Sequence, residues 1–481
     1  MKCLIGKLRK STGAMKERRS ISVRRSLGGH AMIGSYSPVK VGLVTFAQPT
    51  FDVEWAEGIR IQTKTMLEHL GAEVVTWDKP LMYEAEAYEF RDLIRTAMVD
   101  VVVLQSGGFS FGGLPMIIAT GVDMPCVIWS TPEPEFDGGP IRSNSLCAGI
   151  MNNAHLKHAG VKTEFIYGAP GPETEDTIRA MLRALQAMKV LRRAKIGVVG
   201  HRAPGFYSSG FDEVRLQADL GIEAFHIDLS TVLKTMVSIS DEEADETIHE
   251  IDASIAEPVL EKRSGLRKSV KVYLALKSVA QEHHLDALAI KCWPEFPQEQ
   301  GFSVCLSISL LNNAGIIAAC EADVYGAVSM LIQDLLGDGP EFFNDLIHIE
   351  TEENRGVYWH CGAAPMLLAD EEAEKVIRLH GMRKTAASIS FPLKPGRVTI
   401  MRLQHGKEHW RMFVTGGEAM KTSQLLQGNP SWVTFDAPVQ GILDSIIENG
   451  FAHHYSTIYG DIRPKLAWLC HFMDIELVQV C

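Results

Sequence analysis

Short apolar runs alternate with amphipathic stretches from residue 40 onward. The stretch WAEGIRIQTKTMLEHLG repeats apolar residues every three or four positions, which predicts a helix closed by Gly71. The apolar runs around it are rich in Val and Ile and predict strands: VKVGLVTF, AEVVTW, VDVVVLQ and MPCVIWS. Near-continuous apolar strands with helices between them are typical of a parallel sheet covered on both faces. The pattern therefore predicts an open α/β domain over residues 39–170.

A second alternation follows a linking helix that is predicted over residues 171–194. Its predicted strands are AKIGVVG, IEAFHIDLS, LDALAIKC and GIIAAC. Five helices are predicted between and after these strands. The first begins near Asp212, the second covers the acidic stretch 241–262, the third covers residues 267–283, and the last two are SVCLSISLLNN and VYGAVSMLIQDLLG. These elements predict a second open α/β domain over residues 171–345.

The chain changes character after the segment GDGP. Strands joined by turns are predicted for RGVYWHCG, GRVTIMRLQ, HWRMFVTGGEA and HHYSTIYG, which makes residues 346–481 a mostly β domain. The predicted fold is α/β: two open parallel-sheet α/β domains followed by a mostly β C-terminal domain.

Length and composition agree with a globular protein of two or three domains. The chain has 481 residues, of which 46% are hydrophobic and 22% are charged. Its net charge of -12 argues against a nucleic-acid partner, because phosphate binding needs clustered basic surface. No apolar run approaches the ~18 residues of a membrane-spanning helix, so no membrane partner is expected. Nine scattered cysteines without a CxxC pair indicate reduced, buried thiols and predict a cytoplasmic protein.

Residues 1–38 differ from the rest of the chain in charge. They carry nine Lys or Arg and one acid, Glu17, whereas the remaining chain has 38 basic and 58 acidic residues. An acid-poor leader rich in Arg and Ser is compatible with an organellar transit peptide. The preferred interpretation is a disordered extension that has no part in the fold.

Ligands of open α/β sheets bind beyond the carboxyl ends of the strands, so the residues at those positions are the candidates. Two glycine-containing loops, SGGFSFGG and HRAPGFYSSGFDE, follow predicted strands, but neither has the spacing of a nucleotide-binding motif. Acidic residues follow two later strands in succession. Glu295 comes after LDALAIK, between two prolines, and Glu321 and Asp323 come after GIIAAC.

These acids are expected to converge at one crevice. Consecutive strands are often neighbours, and residues two apart in an extended chain share a face. Clustered carboxylates need a cation between them or a shared proton. Each acid alone has an ordinary explanation: Asp323 fits a helix N-cap, and Glu295 fits a solvated loop. Together they favour a site for Mg²⁺ or Mn²⁺, and one added imidazole favours Mn²⁺.

Two histidines stand out by context among the 17 in the chain. His360 ends the predicted strand of VYWHCGAAP, before a turn of small residues that lets a substrate approach. His454 lies beside His453 at the start of the predicted strand of HHYSTIYG. Both flank strands of the β-rich domain, which has to pack on the α/β units, so both are candidates for the site.

Several of these segments resemble the L-fucose isomerase/L-arabinose isomerase family. The resemblance is carried by KCWPEFPQEQG, AACEADVYGAVSML, GVYWHCGAAP and HHYSTIYGD, and it extends through TPEPEFDGG and GHRAPGFYSSGFDE over nearly the whole chain from residue 40. The resemblance implies an aldose–ketose isomerase that uses Mn²⁺, or another divalent cation such as Mg²⁺. It also implies a homo-oligomer, a hexamer or similar.

The resemblance also implies roles for individual residues. Glu295, Asp323 and His454 correspond to the metal ligands of the family. Glu299 is a rival of Glu295, because this stretch is shorter than in fucose isomerases. His360 corresponds to a metal-site histidine of arabinose isomerases and to a polar substrate contact of fucose isomerases. The expected substrate contacts are His360, Glu321, Glu299 and Arg202.

The hypothesised reaction passes through an ene-diol of an open-chain sugar. Of Glu295 and Asp323, one carboxylate would take the proton from carbon and the other would deliver or relay a proton on the opposite side, with the metal as Lewis acid. The expected substrate is a pentose, a deoxyhexose or a sulfohexose such as sulfoquinovose, whose anionic group Arg202, Arg142 or Lys291 could bind. The alternative from another class is a non-catalytic sugar-binding protein, since two α/β units also build such proteins.

Overall fold

The computed structural model describes residues 38–480. The basic extension predicted over residues 1–38 therefore lies, apart from its last residue, outside the described part, as do Cys3 and Cys481. Within residues 38–480, none of the helices combines the length and the apolar character that a bilayer crossing requires.

The elements follow one another in the order strand, helix, strand through the first two thirds of the chain. The strands are β1 (Lys40–Phe46), β2 (Glu73–Thr76), β3 (Val101–Ser106), β4 (Cys126–Ser130), β5 (Thr163–Tyr167), β6 (Lys195–Val199), β7 (Glu223–Ile227), β8 (Ser254–Ile255), β9 (Ala287–Ile290), β10 (Ile317–Cys320), β11 (Phe342–Glu350), β12 (Arg355–Trp359), β13 (Val376–Leu379), β14 (Ala386–Ser390), β15 (Gly396–His405), β16 (Trp410–Ala419), β17 (Ser431–Phe435), β18 (His454–Tyr459) and β19 (Glu476–Gln479). The helices are α1 (Val53–His69), α2 (Glu84–Ala97), α3 (Gly113–Ala119), α4 (Ser145–His158), α5 (Pro172–Leu191), α6 (Glu213–Leu220), α7 (Leu229–Ser238), α8 (Asp241–Glu250), α9 (Glu257–Leu260), α10 (Arg263–Glu282), α11 (Glu295–Gln298), α12 (Cys305–Asn313), α13 (Val324–Leu336), α14 (Val439–Asn449) and α15 (Arg463–Phe472).

The described chain divides into two compact units, of which the first contains residues 38–190 and 464–474. Its five-stranded parallel sheet has the order β2-β1-β3-β4-β5. Strand β3 is buried at every position, so both faces of the sheet are covered, which explains why its sequence is almost continuously apolar. Asp52 caps α1 by accepting the backbone N–H of Trp55, and Gly71 takes a φ of +89° just beyond the helix. The parallel α/β architecture predicted for this part is confirmed.

The second unit contains residues 191–463 and 475–480. Its parallel sheet has the order β10-β9-β6-β7. A larger, mostly antiparallel sheet has the order β15-β18-β11-β12-β17-β16-β19, and the additional pairing of β15 with β16 closes it into a barrel-like shape. A second parallel sheet and a mostly β C-terminal part are therefore confirmed. The predicted domain boundaries at residues 170 and 345 remain predictions.

Helix α13 joins the two sheets of this unit. It contacts β9 and β10 of the parallel sheet and also β15 and β18 of the barrel-like sheet. Because it is covered from both sides, 12 of its 13 residues are buried, which accounts for its almost entirely apolar sequence. Gly326 is required in its first turn, since a Cβ there would lie 2.3 Å from the ring of Phe343. The helix thereby brings the end of β10 against the barrel-like sheet.

The acidic stretch 241–262 is not the single helix that was predicted. Helix α8 ends at Glu250, strand β8 follows, and α9 is a separate short helix with Pro258 in its first turn. Proline cannot donate the backbone hydrogen bond that a continuing helix needs, and β8 pairs with β13 instead. The structure also contains helices that the sequence pattern did not predict: α3, α4, α7, α11, α14 and α15.

Candidate active site

The acidic residues singled out in the sequence follow two neighbouring strands. Strands β9 and β10 pair in parallel, with Ile290 opposite Cys320, and β6 pairs with β9 on its other side. The carboxyl ends of these strands therefore lie at one edge of the sheet, as expected. Glu295 begins α11 just after β9, and Glu321 and Asp323 come directly after β10.

Asp323 is the N-cap of α13 and is buried there. Its Oδ1 accepts the backbone N–H of Gly326 at 2.8 Å and an Arg402 N–H at 3.1 Å. Its Oδ2 accepts a second Arg402 N–H at 2.7 Å and lies 2.9 Å from Nδ1 of His454. The side chains of Asp323 and Arg402 are each 1% exposed. Because each carboxylate oxygen has two partners, Asp323 connects α13 with β15 and β18.

The backbone turns sharply between β10 and α13. Glu321 and Ala322 both take left-handed conformations, with φ of +60° and +53°. Such conformations cost about 1–2 kcal/mol for each residue that carries a Cβ, so the surrounding structure has to hold them. The turn leaves Oε2 of Glu321 3.2 Å from Nε2 of His454, whereas Asp323 contacts Nδ1 of the same ring. The two acids therefore contact opposite nitrogens of one imidazole.

His454 begins β18 and is buried against carboxylates from two sheets. Strand β18 pairs with β11, and Asp345 lies directly opposite His454, with its Oδ1 3.7 Å from Nε2. The ring of the preceding residue, His453, has its centre 4.0 Å from that of His454. Ligand atoms of Glu321, His453 and His454 lie within 4.8 Å of one another. We call Glu321, Asp345, His453 and His454 the His454 cluster.

The charges around His454 oppose the effect of its burial. Burial alone lowers the pKa of His454, but the carboxylates of Asp323 and Glu321 raise it to about 9. Burial opposes ionisation of Asp323, yet the Arg402 charge and the contact with His454 hold the pKa of Asp323 well below its usual range. For Glu321, the hydrogen bond to His454 likewise outweighs burial and lowers its pKa. In this arrangement ionised carboxylates surround a protonated imidazole.

Glu295 lies at the same sheet edge but not within the His454 cluster. Its Oε1 accepts a hydrogen bond from Nζ of Lys291 at 2.5 Å. Burial raises the pKa of Glu295, and the contact with Lys291 outweighs this effect and lowers it. Glu299, its rival, is exposed at the end of α11. The more enclosed of the two glutamates is therefore Glu295.

Aromatic rings connect the loops after β6 and β9 with the His454 cluster. The ring centre of Phe206 is 5.6 Å from that of Trp293 and 5.9 Å from that of His453. Arg202 lies on the same loop as Phe206, is half-buried, and places its guanidinium 4.9 Å from the ring centre of Tyr207. The structure thus brings this loop, one of the two glycine-containing loops of the sequence, to the candidate site.

His360 follows β12 and is buried beside the cluster. Its ring centre lies 6.2 Å from that of His454, and its Nδ1 lies 3.4 Å from Sγ of Cys361. Burial lowers the pKa of His360, but Cys361, Asp345 and Glu321 together raise it to about 9. The structure therefore adds a second protonated imidazole next to the cluster.

Two buried carboxylate oxygens at this edge have no hydrogen-bond partner within residues 38–480: Oδ1 of Asp345 and Oε2 of Glu295. Such orphaned acceptors are rare, because desolvating one without a partner costs about 1–3 kcal/mol. A cation at Nε2 of His454 would also meet Oε2 of Glu321. Carboxylate oxygens together with imidazole nitrogen are a donor set that suits Mn²⁺. The residues of the His454 cluster therefore fit a divalent cation.

Asp345 and Arg402 were not identified from the sequence. Each is a single charged residue inside an apolar strand, in FFNDLI and TIMRLQ. Charged residues are almost never fully buried unless they are paired, so this pattern signals a buried partner. For Asp345 the partner follows only from the pairing of β18 with β11, and for Arg402 only from the contact of α13 with β15.

A second group of metal-binding side chains lies elsewhere in this unit, formed by Cys305, Cys361 and His380. The two Sγ atoms are 3.5 Å apart, too far for a disulfide, and the cysteines within residues 38–480 are free, as predicted. Cys147 is exposed, so the prediction of buried thiols is wrong for it. Nε2 of His380 accepts a hydrogen bond from the Arg383 guanidinium at 2.8 Å. Because a cation there would face Arg383, we assign no metal to this group.

Comparison with known proteins finds similarity to sugar isomerases. Residues 359–480 match the family described as L-fucose isomerase, C-terminal domain. The chain is 29% identical to sulfoquinovose isomerase of Priestia aryabhattai, over 90% of this chain and 97% of that protein. It is 27% identical to sulfoquinovose isomerase of Alkalicoccus urumqiensis, over 90% of this chain and 98% of that protein. An ABC transporter solute-binding protein from Burkholderia multivorans aligns with 62% of this chain and 93% of its own length, at 12% identity and a TM-score of only 0.19.

The chain is a sugar isomerase of the aldose–ketose class. The match of residues 359–480 and the similarity to sulfoquinovose isomerases over 90% of the chain support the fucose isomerase-like family, which the resemblance of the motifs predicted.

Proposed function

We propose that this isomerase depends on a divalent cation held by Glu321, Asp345 and His454. The observation that carries the proposal is a buried imidazole facing carboxylates of two sheets at the carboxyl edge of a parallel sheet. Mn²⁺ is the expected ion, with Mg²⁺ as the alternative, because the donors are mostly oxygen with one imidazole nitrogen. A cation there supplies Lewis-acid polarisation of the carbonyl and neighbouring hydroxyl oxygens of the sugar.

Asp323 is proposed to position His454 and not to bind the cation. Its two oxygens are occupied by Arg402, by a backbone N–H and by Nδ1 of His454, so neither is free for a ligand. The bond to Nδ1 orients the ring so that Nε2 faces Glu321 and Asp345, the arrangement in which a carboxylate supports a ligating histidine. This proposal changes the role that the sequence suggested for Asp323, as a ligand and an acid–base group.

Glu295 is proposed to move the proton between the two reacting carbons. Contact with Lys291 lowers its pKa, and its Oε2 has no hydrogen-bond partner among the described residues. As an ionised carboxylate it can take the proton from the carbon next to the carbonyl, which leaves an ene-diolate. It can then return this proton to the former carbonyl carbon, while the hydroxyl proton of the neighbouring carbon passes to the former carbonyl oxygen. His360 is protonated at neutral pH because its pKa is raised to about 9, and it can hydrogen-bond a sugar oxygen.

The names of the relatives favour a sulfonated hexose as substrate. The two proteins compared above are both called sulfoquinovose isomerase, and each aligns over nearly its full length. Sulfoquinovose is therefore the first candidate, ahead of pentoses and deoxyhexoses. Assembly into a homo-oligomer stays a prediction.

Removal of the cation is expected to abolish turnover. After dialysis against a chelator, conversion of a panel of pentoses, deoxyhexoses and sulfohexoses is measured by chromatography of aldose and ketose, without metal and with added Mn²⁺ or Mg²⁺. Activity should return with Mn²⁺, because the cation polarises the reacting oxygens. Sugar binding without metal-restored turnover would favour the non-catalytic sugar-binding alternative.

Mn²⁺ affinity is expected to rise with pH up to about 9. His454 carries a proton between carboxylates with a pKa raised to about 9, and a cation has to displace it from Nε2. Below this pKa, each binding event should release about one proton, and affinity should fall by about tenfold per pH unit. Calorimetry at pH 7 in buffers of different ionisation enthalpy measures the release. If no proton is released, His454 is not a ligand.

A further inference from the structure

Positive charge without a neutralising carboxylate lies beside the candidate active site. Arg202 and Arg383 are both half-buried, and neither forms an ion pair with a carboxylate within residues 38–480. Lys291, at the same sheet edge, is neutralised by Glu295. In a chain with a net charge of -12, two such arginines leave local positive charge for an anionic ligand.

Both guanidinium groups lie over aromatic rings. That of Arg202 is 4.9 Å from the ring centre of Tyr207, and that of Arg383 is 5.5 Å from the ring centre of Trp293. Contact with a ring restrains the guanidinium plane and leaves N–H groups free for oxygen acceptors. Arg383 also contacts Nε2 of His380 at 2.8 Å, which uses only one of its five N–H groups.

Trp293 supplies a further donor. Its Nε1 is buried and has no hydrogen-bond partner among the described residues. A buried indole N–H normally has an acceptor, so this group points to a ligand oxygen or an ordered water at that position. Because the Arg383 guanidinium covers the same ring, an anionic oxygen there would have two donors nearby.

Phe206 connects Trp293 with the His454 cluster. The ring of Phe206 contacts those of both Trp293 and His453, with centre-to-centre distances of 5.6 and 5.9 Å. In a hexose that carries an anionic group on its last carbon, the reacting carbons are at the opposite end of the chain. A substrate with its reacting end at the cluster would therefore bring its anionic group toward Trp293.

We propose that Arg202, Arg383 and Trp293 bind the sulfonate group of a sulfonated hexose. The inference rests on the proposed function and names the residues that select its substrate. A sulfonate has one negative charge and three acceptor oxygens, which match guanidinium and indole N–H donors. A sugar phosphate presents similar oxygens with more charge, so the two anions have to be compared.

The test compares kcat/KM for sulfoquinovose, glucose and glucose 6-phosphate, with Mn²⁺ present, in variants of the full chain. Arg383→Met should lower kcat/KM for sulfoquinovose about 10–100-fold and leave that for glucose unchanged, because only the sulfonate contact is lost. Arg383→Lys should recover part of the loss, and Trp293→Phe should give a smaller loss of the same selectivity. Arg215→Met removes a positive charge from an exposed position of α6 and is the matched control.

Three outcomes would overturn the subsite. Equal losses for sulfoquinovose and glucose in Arg383→Met would show a structural role for the arginine. No loss in either Arg383→Met or Arg202→Met would show that the anionic group binds elsewhere. A wild-type preference for glucose 6-phosphate over sulfoquinovose would show that sulfonate is not the group recognised.

Failure of the proposed function can be told apart from failure of the subsite. Calorimetry of sulfoquinovose binding to the chelator-treated protein requires no turnover. If metal-dependent conversion is absent but sulfoquinovose binds the wild type at least tenfold more tightly than Arg383→Met, the subsite stands and the isomerase assignment fails. If conversion occurs and binding is equal in the two proteins, the subsite fails alone.

Discussion

Glu321→Gln is expected to lower kcat by about 10³-fold and to weaken Mn²⁺ binding by at least about 100-fold. The amide keeps the size of the side chain but removes the charge that faces Nε2 of His454 at 3.2 Å. The cation would lose one of its proposed ligands, and the pKa of His454 would lose one of the two carboxylates that raise it most. Steady-state rates at saturating Mn²⁺ and a Mn²⁺ titration followed by electron paramagnetic resonance measure the two effects.

Glu299→Gln is the matched control for this experiment. Glu299 is exposed at the end of α11, so the same change of charge there should leave both kcat and Mn²⁺ affinity near the wild-type values. Wild-type Mn²⁺ affinity in Glu321→Gln would remove Glu321 from the ligand set. A large loss of kcat and Mn²⁺ affinity in Glu299→Gln would instead favour Glu299 as a metal ligand, the alternative to Glu295 that the sequence left open.

Arg402→Met is expected to lower the free energy of unfolding by about 3–5 kcal/mol. Methionine fills much of the same space but leaves Asp323 ionised in a buried site with its main counter-charge gone. Activity should also fall, because Asp323 would no longer be held where it orients His454. Denaturant unfolding followed by circular dichroism measures the stability.

Arg215→Met is the control for the loss of an arginine ion pair. The Arg215–Asp219 pair is exposed, with 60% of the arginine side chain accessible, so its loss should cost no more than about 1 kcal/mol. The double variant Asp323→Asn/Arg402→Met removes both buried charges and should recover part of the stability lost in Arg402→Met. If Arg402→Met and Arg215→Met lowered the free energy of unfolding by the same small amount, the prediction for the buried Asp323–Arg402 pair would be wrong.

The same pair changes what is expected of Asp323→Asn. If Asp323 were only the metal ligand that the resemblance implies, this variant would lose turnover and keep its fold. In the structure, removal of the Asp323 charge leaves Arg402 buried without a counter-charge, so a loss of stability is expected together with the loss of turnover. The loss of stability could not be predicted from the sequence, because Arg402, the partner of Asp323, lies 79 residues further along the chain.

Much of the fold could be predicted because its determinants are local. A buried parallel strand such as β3 needs apolar residues on both faces, and a helix such as α1 repeats them every three or four positions. The prediction was wrong at residues 241–262, where a proline and a long-range pairing of β8 with β13 interrupt the helical pattern. Helices such as α4 were missed because they lack a clear apolar face.

The location of the candidate site was also predicted from local signals. Acids after two successive strands placed it at the carboxyl edge of the second sheet, and His454 was selected by its context at a strand start. Two charged residues of the candidate site, Asp345 and Arg402, were not identified. Asp345 and Arg402 are each a lone charge in an apolar strand, which signals a partner without identifying it.

The sequence by itself determined the alternation of strands and helices in the two α/β units, the family that its motifs resemble, and the sheet edge where the acids gather. Only the tertiary structure decided which acid faces which atom. The left-handed conformations of Glu321 and Ala322 turn the side chains of Glu321 and Asp323 in different directions. Asp323 is paired with the buried Arg402 of β15, and Glu321 is the one of the two acids that contacts Nε2 of His454. The reason is that pairing of β18 with β11 and of Arg402 with Asp323 joins residues far apart in the chain, which no local pattern encodes.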